Sequence, residues 1–283
     1  MITKFLKRIL RRDPMVKHTQ ANQTGAPKRI PKKSHRIDPH LLSKNAVKVT
    51  QTLQQAGYEA FIVGGAVRDL VLGIEPKDFD VATNATPDQV QRLFRKARLI
   101  GRRFQIVHVT FFGKGHPEII EVSTFRALLD NAGDHVAESG RILRDNVWGS
   151  QGEDAARRDF TINAMYYDPS TETVLDYHGG MADMQRKTLR MIGDPAKRYR
   201  EDPVRMLRAI RFAAKTGFSL DQNTRLPIAK LGKLLQDVPA ARLFDEILKL
   251  LMSGHSWAAI QGLQEAGLHH GLLPLLEIGR AHV

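Results

Sequence analysis

Ile62-Val63-Gly64-Gly65-Ala66-Val67-Arg68-Asp69 is the stretch that decides the fold, and Asp78-Phe79-Asp80-Val81 follows it closely. Residues 58–63 are rich in strand formers, whereas residues 66–72 carry apolar side chains at helical spacing until Gly73. The glycine pair is therefore expected at a strand-to-helix junction. Because glycine has no Cβ, backbone N–H groups there can approach a phosphate closely. The alternative is a tight turn without a ligand.

Two acidic residues follow this junction at a spacing that suggests a metal site. If residues 78–81 form a strand, Asp78 and Asp80 share one face, and Phe79 and Val81 enter the core. Two carboxylates this close repel each other unless cations neutralise them, and magnesium prefers carboxylate and phosphate oxygens. The pattern predicts a magnesium site. The alternative is that Asp78 merely ends a loop.

The glycine segment matches neither of the two common nucleotide-binding motifs. It contains no G-x-x-x-x-G-K-[ST] and no G-x-G-x-x-G sequence, which excludes a Walker loop and a dinucleotide fingerprint. Arg68 and Asp69 in the first helical turn instead supply a phosphate donor and a possible orienting partner.

Two further motifs complete an ordered set. They are Arg157-Arg158-Asp159-Phe160-Thr161-Ile162-Asn163-Ala164 and Glu201-Asp202-Pro203-Val204-Arg205-Met206-Leu207-Arg208-Ala209-Ile210-Arg211-Phe212. Together with residues 62–69 and 77–80, they resemble the class II nucleotidyltransferases, which comprise bacterial poly(A) polymerases and tRNA CCA-adding enzymes. The similarity runs from about residue 41 to about residue 276. Residues 99–109 resemble the poly(A) polymerase version more than the CCA-adding one.

The resemblance implies an α+β fold. We expect a nucleotidyltransferase head of the polymerase-beta type, with a small mixed or antiparallel sheet, at residues 38–180. An all-helical neck and the start of an RNA-binding body are expected at residues 181–283. Family members usually continue through a larger helical region, so we expect either a truncated chain or another way of holding RNA.

The resemblance also implies the chemistry. The family's activity here would be addition of AMP from ATP to RNA 3′ ends, with two magnesium ions held by Asp78 and Asp80. Asp159 would be a catalytic or site-organising carboxylate, and Arg158 would lie near the triphosphate. Asp202 and Arg205 would read the incoming base. The other residues assigned to the nucleotide are Gly64, Gly65, Arg68, Asp69, Asn163, Arg208 and Arg211.

Each of these motifs has a purely structural alternative. Arg158 and Asp159 could form a surface salt bridge. Asp202 precedes Pro203 and suits a helix N-cap, with the proline at the first helical position. That cap is compatible with base binding, because one side chain can cap a helix in one state and bind in another. Arg205, Arg208 and Arg211 recur every three residues, so they line one helix face.

The rest of the head reads as mixed helix and strand. A helix is expected at 41–56, and Thr86 should cap another that starts with Pro87. Residues 105–112 and 118–125 read as a hairpin. On its second strand Glu121 could reach the aspartate pair as a third metal ligand, or face solvent. His108 alternates with apolar neighbours and reads as a packed or hydrogen-bonded histidine, and residues 126–156 read as a mobile loop.

Composition and charge set independent limits. The chain has 283 residues and no cysteine, and the lack of cysteine suits a reducing cytoplasm. It contains no apolar run of the roughly 20 residues that span a bilayer. The net charge is +13, and residues 1–36 carry +10 of it. We expect a basic, largely disordered tail at residues 1–37, whose first residues form a short amphipathic helix. That helix could touch RNA or an anionic membrane, or merely be solvated.

Three functions remain open from sequence. The leading prediction is repeated addition of AMP to RNA 3′ ends. A tRNA CCA-adding enzyme uses the same chemistry with a different stopping rule. The third is an RNA-binding module without turnover.

Overall fold

A computed structural model describes residues 25–101, 105–113, 116–127, 147–270 and 272–273. The predicted amphipathic helix near the N-terminus and most of the predicted loop at 126–156 lie outside these ranges.

One mixed sheet forms the head. Its eight strands are β1 (Lys28–Pro31), β2 (Ala60–Val63), β3 (Asp80–Thr83), β4 (Ala97–Ile100), β5 (Ile106–Phe111), β6 (Glu118–Thr124), β7 (Met165–Asp168) and β8 (Thr173–Asp176). They are ordered β1-β8-β7-β2-β3-β6-β5-β4. Only the β3–β6 pair is parallel, and the other neighbours run antiparallel. The α+β fold class and the predicted hairpin of residues 105–125 are therefore confirmed.

Eleven helices accompany the sheet in the described residues. They are α1 (Lys32–His35), α2 (Lys44–Gln55), α3 (Gly65–Val71), α4 (Pro87–Leu93), α5 (Gln151–Arg157), α6 (Gly180–Gln185), α7 (Pro195–Glu201), α8 (Val204–Thr216), α9 (Gln222–Leu231), α10 (Ala240–Leu251) and α11 (Ser256–Glu265). Short strands β9 (Thr188–Leu189) and β10 (Ser219–Leu220) pair in parallel beside α8. The predicted cap of α4 is confirmed, because Thr86 and Gln89 form a complete capping box.

The two faces of the sheet carry different cores. On one face Ile62, Val81 and Val122 are buried with the apolar sides of α2, α3 and α4, in a cluster that continues into α8. On the other face a smaller cluster holds Val63, Phe125 and Tyr166 beneath α5. This alternation follows from the period of two in a strand, and it places the side chain of Asp80 on the second face.

The predicted tail is shorter than residues 1–37. Residues 28–31 form the edge strand β1, which pairs antiparallel with β8, and Ile30 is buried. Pairing is possible despite Pro31 because an edge strand leaves one side of its backbone unpaired. The high charge and the prolines suggested disorder, but backbone pairing with β8 and the burial of Ile30 order this short segment.

Three predicted boundaries differ from those observed. Strand β3 begins at Asp80, so Asp78 and Phe79 belong to the preceding loop. The last part of the predicted loop is helix α5, which Ser150 and Glu153 open with a capping box. Helix α8 begins at Val204, so Asp202 ends α7 instead of occupying the N-cap.

No helix in the described residues is long and apolar enough to cross a membrane.

Gly180 tests the close packing beneath the site. A Cβ on this residue would lie 2.4 Å from the carbonyl oxygen of Thr161, in the turn that carries the Asp159 motif. We expect Gly180→Ala to lower the free energy of unfolding by about 1–3 kcal/mol, because the backbone must shift. Thermal unfolding measures the effect. Gly113→Ala is the matched control, since nothing lies within 4 Å of its added Cβ; equal melting temperatures for the two variants would contradict the packing argument.

Candidate active site

Gly64 brings a cation and a carboxylate together. It adopts φ 72° and ψ −132°, a conformation that favours glycine. A Cβ there would lie 3.5 Å from Arg158 Nη1 and 3.9 Å from Asp80 Oδ2. The bare backbone between β2 and α3 is therefore open to a ligand that touches both a guanidinium and a carboxylate. This arrangement supports the predicted phosphate site.

Asp80 is held in an environment that disfavours its charge. Burial, then the negative charges of Glu121 and Asp78, raise its pKa to about 6, against a smaller opposing effect of Arg158. Within the described residues, no hydrogen bond reaches its carboxylate. Asp78 is exposed in the preceding loop, while Phe79 and Val81 are buried, as predicted for a carboxylate pair beside the core.

This donor set fits a hard divalent cation. Magnesium is commonly held by one or two carboxylates, and substrate phosphates and water complete its shell. Asp78 and Asp80 supply the two carboxylates, and the opening at Gly64 leaves room for phosphate. In the described part of the chain no group of three or more His, Asp or Glu side chains is arranged to hold a metal ion. The donor chemistry of Asp78 and Asp80 fits a magnesium ion, and the roles of Asp78, Asp80 and Glu121 as metal ligands stay predictions.

Glu121 has a different neighbour. It lies opposite Asp80 in the parallel β3–β6 pair and opposite His108 in the antiparallel β5–β6 pair. Its Oε1 atom is 3.4 Å from His108 Nε2. These two atoms do not form a hydrogen bond, so His108 Nε2 has no hydrogen-bond partner among the described residues.

Arg158 is oriented by two buried groups that sequence reasoning missed. Its Nη2 donates to Asp154 Oδ2 at 3.0 Å, and its Nε donates to the Tyr166 hydroxyl oxygen at 3.2 Å. The Tyr166 hydroxyl in turn donates to Asp154 Oδ2 at 2.7 Å. Burial alone would raise the pKa of Asp154, but Arg158 and the Tyr166 hydrogen bond lower it. The carboxylate therefore stays ionised and fixes the guanidinium beside Gly64.

Asp159 pairs with helix α8. Its Oδ2 accepts hydrogen bonds from Arg208 Nε at 2.8 Å and Arg208 Nη2 at 2.5 Å, and its Oδ1 accepts from the Phe160 backbone N–H at 2.8 Å. Burial works against the charge, but Arg208 and these hydrogen bonds lower the pKa of Asp159. Because both carboxylate oxygens of Asp159 accept these hydrogen bonds, the geometry favours a site-organising role for Asp159. A direct catalytic role for Asp159 stays a prediction.

Arg68 also serves as a brace. It is buried, and its Nη1 donates to Asn163 Oδ1 at 2.8 Å, while its Nε donates to Asp69 Oδ1 at 2.9 Å. Asp69 accepts a further bond from Lys215 Nζ at 3.0 Å. The predicted phosphate residues Arg68, Asp69 and Asn163 are thus brought together, but they bind one another and tie α3 to α8.

The base-reading residues have separate partners. Asp202 Oδ2 accepts a hydrogen bond from Arg242 Nη2 on α10 at 2.7 Å, and Asp202 Oδ1 accepts from the Val204 backbone N–H at 3.3 Å. Arg205 Nη1 instead donates to Glu201 Oε2 at 3.0 Å. Asp202 and Arg205 therefore line the same space without pairing. The sequence contained no signal for Arg242, because it lies on a helix of another motif.

A cavity of about 660 Å³ joins these parts. Head residues Gly64, Arg158 and Asp80 form one wall, and helices α8 and α10 form the other. Its cationic lining residues are Arg68, Arg157, Arg158, Arg205, Arg208, Arg211, Lys215, Arg242 and Lys249. Such a lining suits a polyanionic ligand. A larger groove of about 900 Å³ between α8, α9 and α11 is mostly apolar and contains none of the predicted site residues.

Comparison with known proteins agrees with this geometry. Residues 60–190 match the family described as the poly A polymerase head domain, and residues 217–278 match the probable RNA and SrmB-binding site of polymerase A. The chain is 49% identical to poly(A) polymerase I of Salmonella typhimurium over 97% of its own length. The chain belongs to the family of poly(A) polymerases and CCA-adding enzymes. The resemblance inferred from the four motifs is confirmed.

Relatives on the other branch are also similar. The CCA-adding enzyme of Bacillus velezensis is 39% identical over 79% of the chain. The crystal structure of the Bacillus stearothermophilus CCA-adding enzyme in complex with CTP superposes with a TM-score of 0.70, at 35% identity over 84% of this chain. The chain spans 59% of the Salmonella protein and 54% of the Bacillus stearothermophilus chain. The predicted head fold is confirmed by this family match.

Tyr166 tests how Arg158 is positioned. Tyr166→Phe removes a buried hydroxyl that both accepts from Arg158 and donates to Asp154. We expect a loss of about 1–3 kcal/mol in unfolding free energy, because Asp154 loses a partner and Arg158 loses a contact. Denaturant unfolding measures the effect. The control is Tyr167→Phe, whose hydroxyl makes no hydrogen bond within the described residues; a similar loss there would contradict the assignment.

Asp80 predicts a pH dependence of stability without metal. Its pKa is raised to about 6 in the folded protein, from an ordinary value of 3.8, so the folded state binds the proton more tightly than the unfolded chain. The stabilisation is present below about pH 4 and is lost as pH rises through about 6. Asp80→Asn does not titrate. In chelator, it should therefore melt increasingly above wild type between pH 4 and 7, by a few degrees at pH 7. A melting-temperature difference that does not change with pH would contradict this environment.

Proposed function

We propose that the chain is the catalytic part of a template-independent RNA nucleotidyltransferase that adds AMP from ATP to RNA 3′ ends. One observation carries the proposal: Gly64, Arg158 and Asp80 meet at one end of a cation-lined cavity whose other wall bears Asp202 and Arg205. Phosphate, metal and base functions thus share a space large enough for a nucleotide.

The proposed reaction is a direct displacement. The RNA 3′-hydroxyl oxygen forms a bond to the α-phosphorus of ATP as the bond to pyrophosphate breaks, and the hydroxyl proton is released. Asp78 and Asp80 would hold divalent magnesium, which when bound lowers the pKa of the attacking hydroxyl and neutralises the leaving group. Arg158 binds triphosphate oxygens, and Asp154 and Tyr166 keep its guanidinium aimed at them. No covalent enzyme intermediate is required.

The residues on the neck would select the base. Asp202 supplies acceptor oxygens and Arg205 supplies donors, which is the pair of groups needed to bind the polar edge of a base. Arg242 holds one Asp202 oxygen, so the carboxylate presents a limited set of orientations. The Asp159–Arg208 pair fixes this wall relative to the phosphate site.

CCA addition is the second candidate. It is favoured by the similarity to CCA-adding enzymes at 39% identity and to the CTP complex, and it uses the same catalytic groups. The 49% identity to poly(A) polymerase I supports AMP addition first. Binding of RNA without turnover is the remaining alternative.

One incubation separates the three functions. We expect the protein, with magnesium and ATP, to extend a generic RNA into a ladder, and Asp78→Asn to reduce AMP incorporation at least 100-fold while keeping the wild-type circular dichroism spectrum. Asp88→Asn, which changes an exposed acidic residue on α4 outside the lining of the cavity, is the matched control and should keep wild-type activity. A three-nucleotide stop on tRNA lacking its terminus, with CTP and ATP, would indicate CCA addition. RNA binding without any product would indicate the non-catalytic alternative.

A further inference from the structure

Among the described residues, the elements that pack on the sheet face bearing Asp80 cover only half of it. On the β2, β7 and β8 side it packs beneath α5 around Phe125 and Tyr166. On the β6, β5 and β4 side, Ile119 remains 46% exposed and Ile100 remains 40% exposed. The residues that alternate with them in β5 and β6, such as Val107 and Ile120, are buried on the opposite face. An accessible surface thus continues from Asp80 toward the β4 edge.

A row of polar side chains crosses this surface. The strand register aligns Asp80 with Glu121, Glu121 with His108, and His108 with Arg98. Directly paired residues project from the same face of a sheet. With neighbouring strands about 4.8 Å apart, the backbone of Arg98 lies about 14 Å from that of Asp80. This distance is the span of a few nucleotides.

One member of the row has unused hydrogen-bonding capacity at the surface. Arg98 is exposed and forms no ion pair with any described residue. The Nε2 atom of His108 has no hydrogen-bond partner in the described part of the chain, but it is buried 3.4 Å from Glu121 Oε1 and is not accessible to a ligand. A guanidinium is a group that contacts phosphate oxygens. The exposed Ile100 and Ile119 offer apolar contact to sugars and bases.

The in-line geometry of displacement indicates from which side of Asp80 the attacking hydroxyl approaches. Gly64 and Arg158, which would hold the triphosphate, lie on the β2 side of Asp80. In phosphoryl transfer the attacking and leaving oxygens are roughly in line, on opposite sides of the phosphorus. If pyrophosphate leaves on the β2 side, the attacking hydroxyl approaches from the β6 side. The half-open face lies on that side.

We propose that the RNA strand to be extended reaches Asp80 across this face, above the row Glu121–His108–Arg98. Arg98 binds a backbone phosphate a few nucleotides from the 3′ end, and the exposed Ile119 contacts a sugar or base nearer the end. This inference rests on the proposed function. RNA is favoured over a protein partner because the row is polar and ends in an unpaired cation, and because it is continuous with the predicted catalytic carboxylate.

The test compares two arginines on opposite faces of the sheet. Arg98→Ala removes the proposed phosphate contact, and Arg92→Ala removes the same charge from α4, which packs on the other face. Fluorescence anisotropy of a 5′-labelled oligoadenylate gives the dissociation constant. We expect Arg98→Ala to weaken RNA binding several-fold and to reduce the salt slope by roughly 0.7, the value for one single-strand phosphate contact. Arg92→Ala should match wild type, and ATP should raise the melting temperature of all three proteins equally.

Ile119 provides a second, independent variant. Ile119→Thr removes an exposed apolar contact and keeps the β-branched shape, so it should weaken RNA binding while changing the melting temperature little. Normal RNA binding by both variants would overturn the proposal, as would equal losses in the two arginine variants or the absence of RNA binding by wild type. A change in oligomeric state on sedimentation, with RNA affinity retained, would assign the face to protein contact instead.

The outcomes separate this inference from the proposed function. If Arg98→Ala weakens RNA binding and Arg92→Ala does not, but the wild type adds no AMP, the RNA-binding face is supported and the proposed activity is wrong. If the wild type adds AMP and Arg98→Ala has an unchanged KM for RNA, the proposed activity is supported and the RNA-binding face is wrong.

Discussion

The partly buried ion pair between Asp159 and Arg208 is the contact on which the arrangement of the site depends. It joins the turn before β7 to helix α8, and two guanidinium nitrogens of Arg208 donate to the same carboxylate oxygen, Oδ2 of Asp159. Removing Arg208 leaves the buried carboxylate of Asp159 without its counter-charge, so the loss of the pair costs more than its presence contributes. Lys215 and Asp69 form a second connection about two turns further along α8. The cavity exists because these contacts hold the helices opposite the sheet at a fixed separation.

This construction explains why so many predicted nucleotide residues bind one another. Arg68, Asp69, Asn163, Asp159 and Arg208 form a connected network, in which each group satisfies a neighbour. Arg158 differs, because its partners Asp154 and Tyr166 lie behind it and leave one edge toward Gly64. The network provides rigidity, and Arg158 keeps a charged edge toward Gly64, which suits its proposed role at the triphosphate. Motifs of this kind therefore mix residues that contact substrate with residues that hold them in place.

Sequence reasoning succeeded where local chemistry decides the structure. Period two in residues 118–124, the glycine pair after a strand, and the Thr86–Gln89 capping box each predict a local conformation that tertiary contacts did not override. The family resemblance supplied the order of the motifs and hence the two walls of the cavity. Sequence reasoning failed at β1, a short charged segment that is nevertheless paired in the sheet. It also failed at α5, whose helix signal lies within a polar stretch.

Other features were beyond sequence reasoning for a physical reason. Asp154, Tyr166 and Arg242 act across elements that are distant along the chain, so no local pattern identifies their partners. The site-organising geometry of Asp159 follows from Arg208, 49 positions later. The contact of Glu121 with His108 depends on strand register, which a one-residue shift would abolish.

Strand β1 has a consequence beyond its position. By pairing with residues 173–176 it covers the backbone groups at that border of the sheet. A chain shortened to the expected head boundary at residue 38 would keep every catalytic group but uncover a row of free N–H and C=O groups. Such a row is a template for adding a strand from another molecule. Residues 28–31 therefore oppose self-association of the head, and a head without them would tend to associate through the uncovered edge of β8.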